Sequence, residues 1–359
     1  MGLPARYRSV IGALLGVYFF VSSIILIKES AMLMGGALAK KVLTLIKDTT
    51  SGVFAGWITT AILHSSGAFD SIIVAFVSSG IMPLSLAVAT IIGAELGTTI
   101  TPLLVAVVGY AKNKVQLNAS FNVTMAHFLY NLFTLLIFYP AELFFALFTK
   151  IAQGGSSIFV KASWLNYVPS LLDVVTPWIP PLLNNIPAWV GLILGGLVLV
   201  ASLWGVERYM TALFSMPKSW NLIRATFTKP TRAFLAGLLF TMLVPSTTVM
   251  VSLLVPLAAS GVISADYYIL PYILGANIGT VFDVMIAALA TGNPVSLGVW
   301  LVHLTINLAG ALIFFPLLKP FSRLVRWSSE VITKSPMRTI LFMVGFHAIP
   351  VLVVLLYLL

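Results

Sequence analysis

The sequence predicts an all-α integral membrane protein. It is read as two inverted-topology repeats, each with a re-entrant helical hairpin and an interrupted helix, followed by one extra C-terminal span. Three observations carry that prediction. The 359 residues are 60% hydrophobic and only 8% charged, with a mean hydropathy of +1.06, too little charge for the surface of a soluble domain. The apolar runs are long and continuous, unlike the ~10-residue alternating strands of a barrel, so helices span. And the same polar residues recur, in the same order, about 180 residues apart.

The elements follow in order. Val10–Ile27 is long enough to cross, given ~17–25 residues per span. It follows Arg6 and Arg8 as a signal peptide would, but Lys28-Glu29-Ser30 follows in place of a small-residue cleavage pattern, so it reads as a retained first helix. Ser30–Asp48, with Lys40, Lys41 and Lys47, is amphipathic and expected at the interface. Gly52–Gly80 carries His64-Ser65-Ser66-Gly67-Ala68-Phe69-Asp70 near its middle. Hydroxyls, a histidine and a carboxylate at membrane depth are costly and point to function. Two half-helices meeting there make a re-entrant hairpin, since broken backbone is tolerated only inside protein or beside a water-filled cavity.

Pro83–Gly109 is interrupted by Gly93-Ala94-Glu95-Leu96-Gly97-Thr98-Thr99, and Lys112 and Lys114 close it. Phe121–Phe148 spans, with His127 and Asn131 one turn apart. Gln153–Asn185 is a loop rich in Pro, Ser and Trp; Ile186–Trp204 spans; Glu207–Lys229 is amphipathic and basic. A second hairpin, Arg232–Gly261, carries Pro245-Ser246-Thr247-Thr248. Ala265–Ala290 contains Gly275-Ala276-Asn277-Ile278-Gly279-Thr280 with Asp283 beyond, Val295–Leu318 contains His303 and Asn307, and Thr339–Leu359 is the last span. The organisation is repeat 1 over 9–150, an extracytoplasmic loop over 151–185, repeat 2 over 186–320 and an additional helix over 339–359.

The repeat is explicit in the numbering. Gly56, Ser65, Ser66 and Gly80 match Gly237, Ser246, Thr247 and Gly261 at an offset of 181. Glu95, Gly97 and Thr98 match Asn277, Gly279 and Thr280 at 182, and His127, Asn131 and Pro140 match His303, Asn307 and Pro316 at 176. Repeats with interrupted helices in corresponding places point to a secondary transporter. Three crossings separate the hairpins, so the repeats are inverted. That topology puts 14 of the 20 basic residues on one side, which is then cytoplasmic. The amino terminus is expected inside and the carboxyl terminus outside, in a multi-pass cell-membrane protein.

The formal charge of +10 is spread over loops, which fits loop bias and not nucleic acid. There is no cysteine. His64 and Ser66 are too close in sequence for a catalytic triad, and no nucleophile elbow precedes them, so an enzyme is not expected. An open ion channel is a further class; enclosed paired hairpins favour alternating access.

A half-helix ending at membrane depth offers N–H groups to anions or carbonyls to cations. The tips Ser65-Ser66-Gly67 and Ser246-Thr247-Thr248 are therefore candidates to enclose an oxyanion. Hard cations need oxygen ligands, and Glu95, Thr98, Thr99, Asn277 and Thr280 supply them, with His64, Asp70 and Asp283 as further coupling candidates. His127, Asn131, His303 and Asn307 read as supporting groups. Gly93, Gly97, Gly275 and Gly279 have the spacing of close helix packing.

Gly275-Ala276-Asn277-Ile278-Gly279-Thr280 resembles the Gly-(Ala/Ser)-Asn-Ile-Gly-Thr-Thr signature of the type II sodium–phosphate cotransporter family. Thr60-Ala61-Ile62-Leu63-His64-Ser65-Ser66 is similar to that family's Thr-Ala-x-x-Gln-Ser-Ser-Ser. The resemblance covers roughly Met34 to Pro316 and is to members lacking a C-terminal regulatory domain. It implies an inverted-repeat symporter, phosphate held by the paired serine motifs, and Na+ as the coupling ion, at Glu95, Asn277, Ser65 and Ser246, with no other cofactor. His64 and Pro245 stand where the family has glutamine, Gly67 where it has serine, and Glu95 where it has asparagine. Asp70 and Asp283 stand where hydroxyls are usual. These departures leave a different solute, or coupling to H+, as the alternative. The oligomeric state stays open, a dimer among the arrangements allowed.

Overall fold

Two of the helix starts are written in capping residues. Asp48 caps the helix from Thr49: its carboxylate accepts from Ser51 N at 2.8 Å while the Ser51 hydroxyl accepts from Asp48 N at 3.0 Å, a capping box that satisfies two otherwise orphaned donors. Asn113 caps the helix from Lys114, its side-chain oxygen accepting from Val115 N at 3.1 Å and Gln116 N at 3.2 Å. The computed structural model describes residues 5–110, 112–161, 176–214, 225–263 and 267–358, and among these the structure is helical, without strands.

The helices are α1 Ala5–Leu45, α2 Thr49–Leu63, α3 Ser66–Ser78, α4 Leu84–Gly97, α5 Ile100–Tyr110, α6 Lys114–Phe145, α7 Leu147–Val160, α8 Ile179–Asn185, α9 Ala188–Phe214, α10 Pro230–Leu243, α11 Thr247–Ala259, α12 Ile269–Thr291, α13 Pro294–Phe314, α14 Leu318–Thr333 and α15 Pro336–Leu358. Among the described residues, seven stretches are long and apolar enough to cross a membrane: Tyr7–Leu38, Leu84–Tyr110, Lys114–Phe145, Ala188–Val206, Ile269–Thr291, Pro294–Phe314 and Pro336–Tyr357. They are the seven spans expected from the sequence. Leu14, Val108, Phe144, Leu312 and Leu356 lie exposed on them, the surface a lipid-facing helix presents.

Among the described residues, four apolar helices are too short to span. α2 has 15 residues and α3 has 13, about 20 Å each at 1.5 Å per residue, against ~30 Å of hydrocarbon. α10 and α11 repeat the pair with 14 and 13 residues. The two breaks are made differently. α2 stops because His64 takes the left-handed conformation, φ 58°, uncommon for a residue with a Cβ. α10 stops at Val244 because Pro245, which has no N–H and restricts the residue before it, follows.

Three expectations are corrected. The amphipathic stretch expected over Ser30–Asp48 begins later: the first helix runs past Ile27 to Gly35, where φ 51° and ψ −134° are non-helical and break it, and a second helical piece follows to Leu45. The first interruption lies at Thr98–Thr99, the end of its glycine motif, whereas α12 passes unbroken through Gly275–Thr280. The difference lies in the hydroxyls: Thr99 bonds back to Leu96 O and Thr98 reaches across to Thr248, and the second repeat has Val281 where the first has Thr99. The loop of Gln153–Asn185 is helical at both ends, in α7 and α8; its middle, 162–175, and residues 215–224 of the basic stretch Glu207–Lys229 lie outside the described residues.

Glycines hold the two halves in one pattern. A Cβ on Gly56 would sit 2.0 Å from Thr90 O, and one on Gly237 would sit 2.0 Å from Tyr272 O. Gly93 meets Val53 O at 1.8 Å and Gly275 meets Phe234 O at 2.0 Å; Gly97 and Gly279 meet Trp57 O and Leu238 O at 2.3 and 2.5 Å. Each pair of contacts matches at the sequence offsets of 181 and 182. α2 therefore packs on α4 as α10 packs on α12, backbone against backbone, the close approach that small-residue spacing permits. The halves also interlock: α7 packs on α13, α14 on α6, and α1 on α9. Glu142, buried in α6, fastens α7 by accepting from Phe148 N at 2.8 Å, Thr149 N at 3.1 Å and the Thr149 hydroxyl.

Candidate functional site

Each break delivers a serine to the start of the following helix. Ser65 caps α3, φ −153° and ψ 112°, and its hydroxyl accepts from Ala68 N at 3.2 Å. Ser246 caps α11, φ −154° and ψ 102°, and accepts from Val249 N at 3.3 Å. Capping uses the oxygen lone pair, so each hydroxyl proton remains able to donate. Both caps line one cavity of 430 Å³, together with His64, Thr101, Thr248 and Trp204. None of its lining residues is Asp, Glu, Lys or Arg. An anion there would meet hydroxyls and the positive ends of two helices, without a carboxylate beside it.

Two hydroxyl contacts set the second tip. Thr248 pairs with Thr98 at 2.8 Å, joining the start of α11 to the α4–α5 break, and Thr247 donates to Ala276 O at 3.1 Å. His64 is exposed, and its Nδ1 lies 2.9 Å from the Thr101 hydroxyl. Ser66 and Thr280 are buried, and Thr99 turns back to its own helix.

A second constellation is fully buried. Asp70 of α3, Glu95 of α4 and His303 of α13 meet, with His303 Nε2 2.7 Å from Glu95 Oε1 and His303 Nδ1 3.4 Å from Asp70 Oδ2. Asp283 of α12 acts electrostatically on both Asp70 and His303. Its Oδ1 accepts from Val284 N at 2.6 Å, and its Oδ2 lies where a Cβ on Gly67 would be, 1.8 Å away. The repeat sets a neutral counterpart opposite. His127 of α6 lies against Asn277 of α12, as His303 lies against Glu95, and Asn277 Nδ2 donates to Asn131 Oδ1 at 3.4 Å. Asn131 and Asn307 each donate to the carbonyl of the histidine four residues before, at 3.0 and 3.2 Å.

The family model described as Na+/Pi-cotransporter matches residues 19–161 and 199–332. The chain belongs to the Na+/Pi-cotransporter family. The sodium-dependent phosphate transport protein 2A of Rattus norvegicus is 24% identical over 388 residues, covering 86% of this chain and 60% of the relative. Protein 2B of Homo sapiens is 24% identical over 414 residues, covering 86% and 58%. Protein 2A of Oryctolagus cuniculus is 29% identical over 129 residues, 35% of this chain and 20% of the relative. The chain thus spans about three-fifths of the length of the fuller relatives. No solved structure matches it.

Among Na+/Pi-cotransporter residues expected from the sequence, Ser65, Ser246 and Thr248 come together at the cavity, whereas Asp70, Glu95 and Asp283 gather behind it. Glu95 and Asn277, grouped as sodium ligands, are each engaged across the repeats, by His303 and by Asn131. Sequence reasoning missed Thr101 and the apolar wall from α9, Val200, Leu203 and Trp204. It also ranked His303 as a support when it sits between two carboxylates.

Gly67 and Asp283 occupy each other's space, and this yields a prediction. Gly67→Ser is expected to lower stability by about 1–3 kcal/mol through overpacking. Asp283→Ala in the same chain is expected to recover most of that loss, and a thermal double-variant cycle on purified protein reads the coupling. Additive effects would contradict the contact.

Proposed function

We propose that the chain is a secondary active transporter that carries inorganic phosphate with Na+. The cavity between Ser65 and Ser246 is the observation that carries the reading: two helix N-termini and a ring of hydroxyls converge in a space without carboxylates. The relatives, sodium-dependent phosphate transport proteins, support the substrate and the coupling ion. The α2–α3 and α10–α11 pairs act as re-entrant hairpins. Three spanning stretches, Leu84–Tyr110, Lys114–Phe145 and Ala188–Val206, lie between them, which supports inverted repeats and alternating access around a midplane site. On this reading the seven candidate crossings leave the two ends of this stretch on opposite faces of the cell membrane, the amino end cytoplasmic.

In this reading phosphate takes the Ser65, Ser246 and Thr248 hydroxyls and the first-turn N–H groups of α3 and α11. Na+ travels as cargo beside it, taking oxygen from the threonine hydroxyls and from the carbonyls that end α2, as a hard cation requires. Glu95, engaged by His303, is outside that set. Labelled phosphate is expected to accumulate in proteoliposomes under an inward Na+ gradient and not under an equal K+ gradient. Equilibration without accumulation under any gradient would sink the transporter in favour of a channel, and indifference to phosphate would point to another solute.

A further inference from the structure

Asp70, His303 and Glu95 carry no role in the cavity, yet they are buried, and ionisable side chains are expensive to bury at membrane depth. Their geometry bears on how many protons they hold. A neutral imidazole has one N–H donor and one bare nitrogen. Here both nitrogens face carboxylate oxygens, Nε2 toward Glu95 at 2.7 Å and Nδ1 toward Asp70 at 3.4 Å. A bare nitrogen against an ionised oxygen sets lone pair against lone pair. Either the ring carries both protons or the facing carboxyl carries one. In both cases the trio holds one proton more than a neutral histidine between two carboxylates. Asp70 receives no hydrogen bond at either oxygen among the described residues, although it is wholly buried. A buried carboxylate without donors is strongly penalised as the ion.

We propose that Asp70, His303 and Glu95 form a proton-binding site that loads and releases one proton in each transport cycle. One ligand atom from each of the three lies within 4.8 Å of the others, a spacing that could also hold a metal ion; but Na+ prefers all-oxygen ligands, and Nε2 and Oε1 already stand at hydrogen-bond distance, 2.7 Å, so the ligand is H+. The proton adds from water on one side and leaves to water on the other; only an N–H or O–H bond forms and breaks. The site reaches the cavity through two elements. α3 carries Asp70 five residues past its cavity-lining cap Ser65, about 7.5 Å along the helix. α4 carries Glu95 one turn before Thr98, which bonds Thr248 at the other tip. Loading the site therefore biases both tips.

The groups bearing on the ring are Asp70 of α3, Glu95 of α4 and Asp283 of α12. Tyr130 of α6 also lies within electrostatic reach of Glu95. α1 also packs on α3 and α12, and its Lys28 bonds Thr291 O at 3.3 Å and pairs with Glu29 instead.

Coupling rests on the transport reading; occupancy by the proton does not. The test has two arms. In purified protein with labelled histidines, magnetic resonance of the nitrogens and infrared spectra of the carboxyl groups count protons on His303, Asp70 and Glu95 at neutral pH. One proton in excess, unmoved by adding Na+ at fixed pH, is expected. His303 neutral between two ionised carboxylates, or a proton displaced by Na+, overturns the proposal. In proteoliposomes with equal Na+ on both sides, an inward proton gradient is expected to drive phosphate accumulation. His303→Gln or Asp70→Asn, shown folded by gel filtration, is expected to reduce that accumulation at least tenfold. A wild-type chain that accumulates phosphate on Na+ but ignores the proton gradient overturns the coupling. A chain that moves no phosphate at all fails the transport reading, and the spectra still decide the proton.

Discussion

Gly56→Ala and Gly237→Ala are expected to cost the protein most of its folded yield. The added carbon would lie 2.0 Å from a carbonyl oxygen in each case, Thr90 O or Tyr272 O. Overpacking usually costs about 1–3 kcal/mol because side chains shift to make room. Here the obstacle is backbone inside a helix, which does not rotate away, so about 3 kcal/mol or more is expected. Native stabilities are only ~5–15 kcal/mol. Gel filtration of detergent-solubilised protein and its thermal midpoint read the effect. Gly154→Ala and Gly345→Ala serve as controls, since a Cβ at either meets nothing within 4 Å. Midpoints for Gly56→Ala equal to those controls would mean that α2 and α4 do not approach so closely.

Ser65→Ala and Ser246→Ala are expected to abolish uptake while leaving the fold. Each removes an N-cap, worth about 1 kcal/mol, which the protein survives. Each also removes a hydroxyl donor from the cavity and leaves a first-turn N–H without its usual partner. The expected loss is at least tenfold in Na+-driven phosphate uptake, similar for both, because the two caps have the same backbone conformation and the same bonding. Uptake within threefold of wild type for either serine would remove that tip from the site.

Much of the fold is legible because membrane helices announce themselves by length and apolarity. The seven spans and the four short helices were all readable. So were the two tip breaks and the one after Gly97, although not their means, while the break expected in α12 is absent: His64 reads as a coupling histidine, but its left-handed turn at the end of α2 puts the ring beside Thr101. The glycine motifs carry two meanings at once, and close packing is the one the backbone contacts bear out; the continuity of α12 follows, since a motif used for packing need not break its helix. The buried charge cluster was legible only in parts. Asp70, Glu95 and Asp283 each stand out against an apolar background. Helical periodicity places such a residue on a face but does not say which helix meets that face, and His303 lies 208 positions from Glu95 in sequence. The α9 wall of the cavity gives no signal because valine, leucine and tryptophan there look like any lipid-facing stretch.

The central claim is that Ser65 and Ser246 face one phosphate-binding cavity. The chain has no cysteine, so Ser65→Cys and Ser246→Cys each introduce a unique thiol. The measurement is the rate at which a small, water-soluble thiol reagent labels each variant, with Na+ and with or without phosphate. The account predicts that phosphate with Na+ slows labelling at both positions. Protection at neither position, or at one alone, would contradict a shared site.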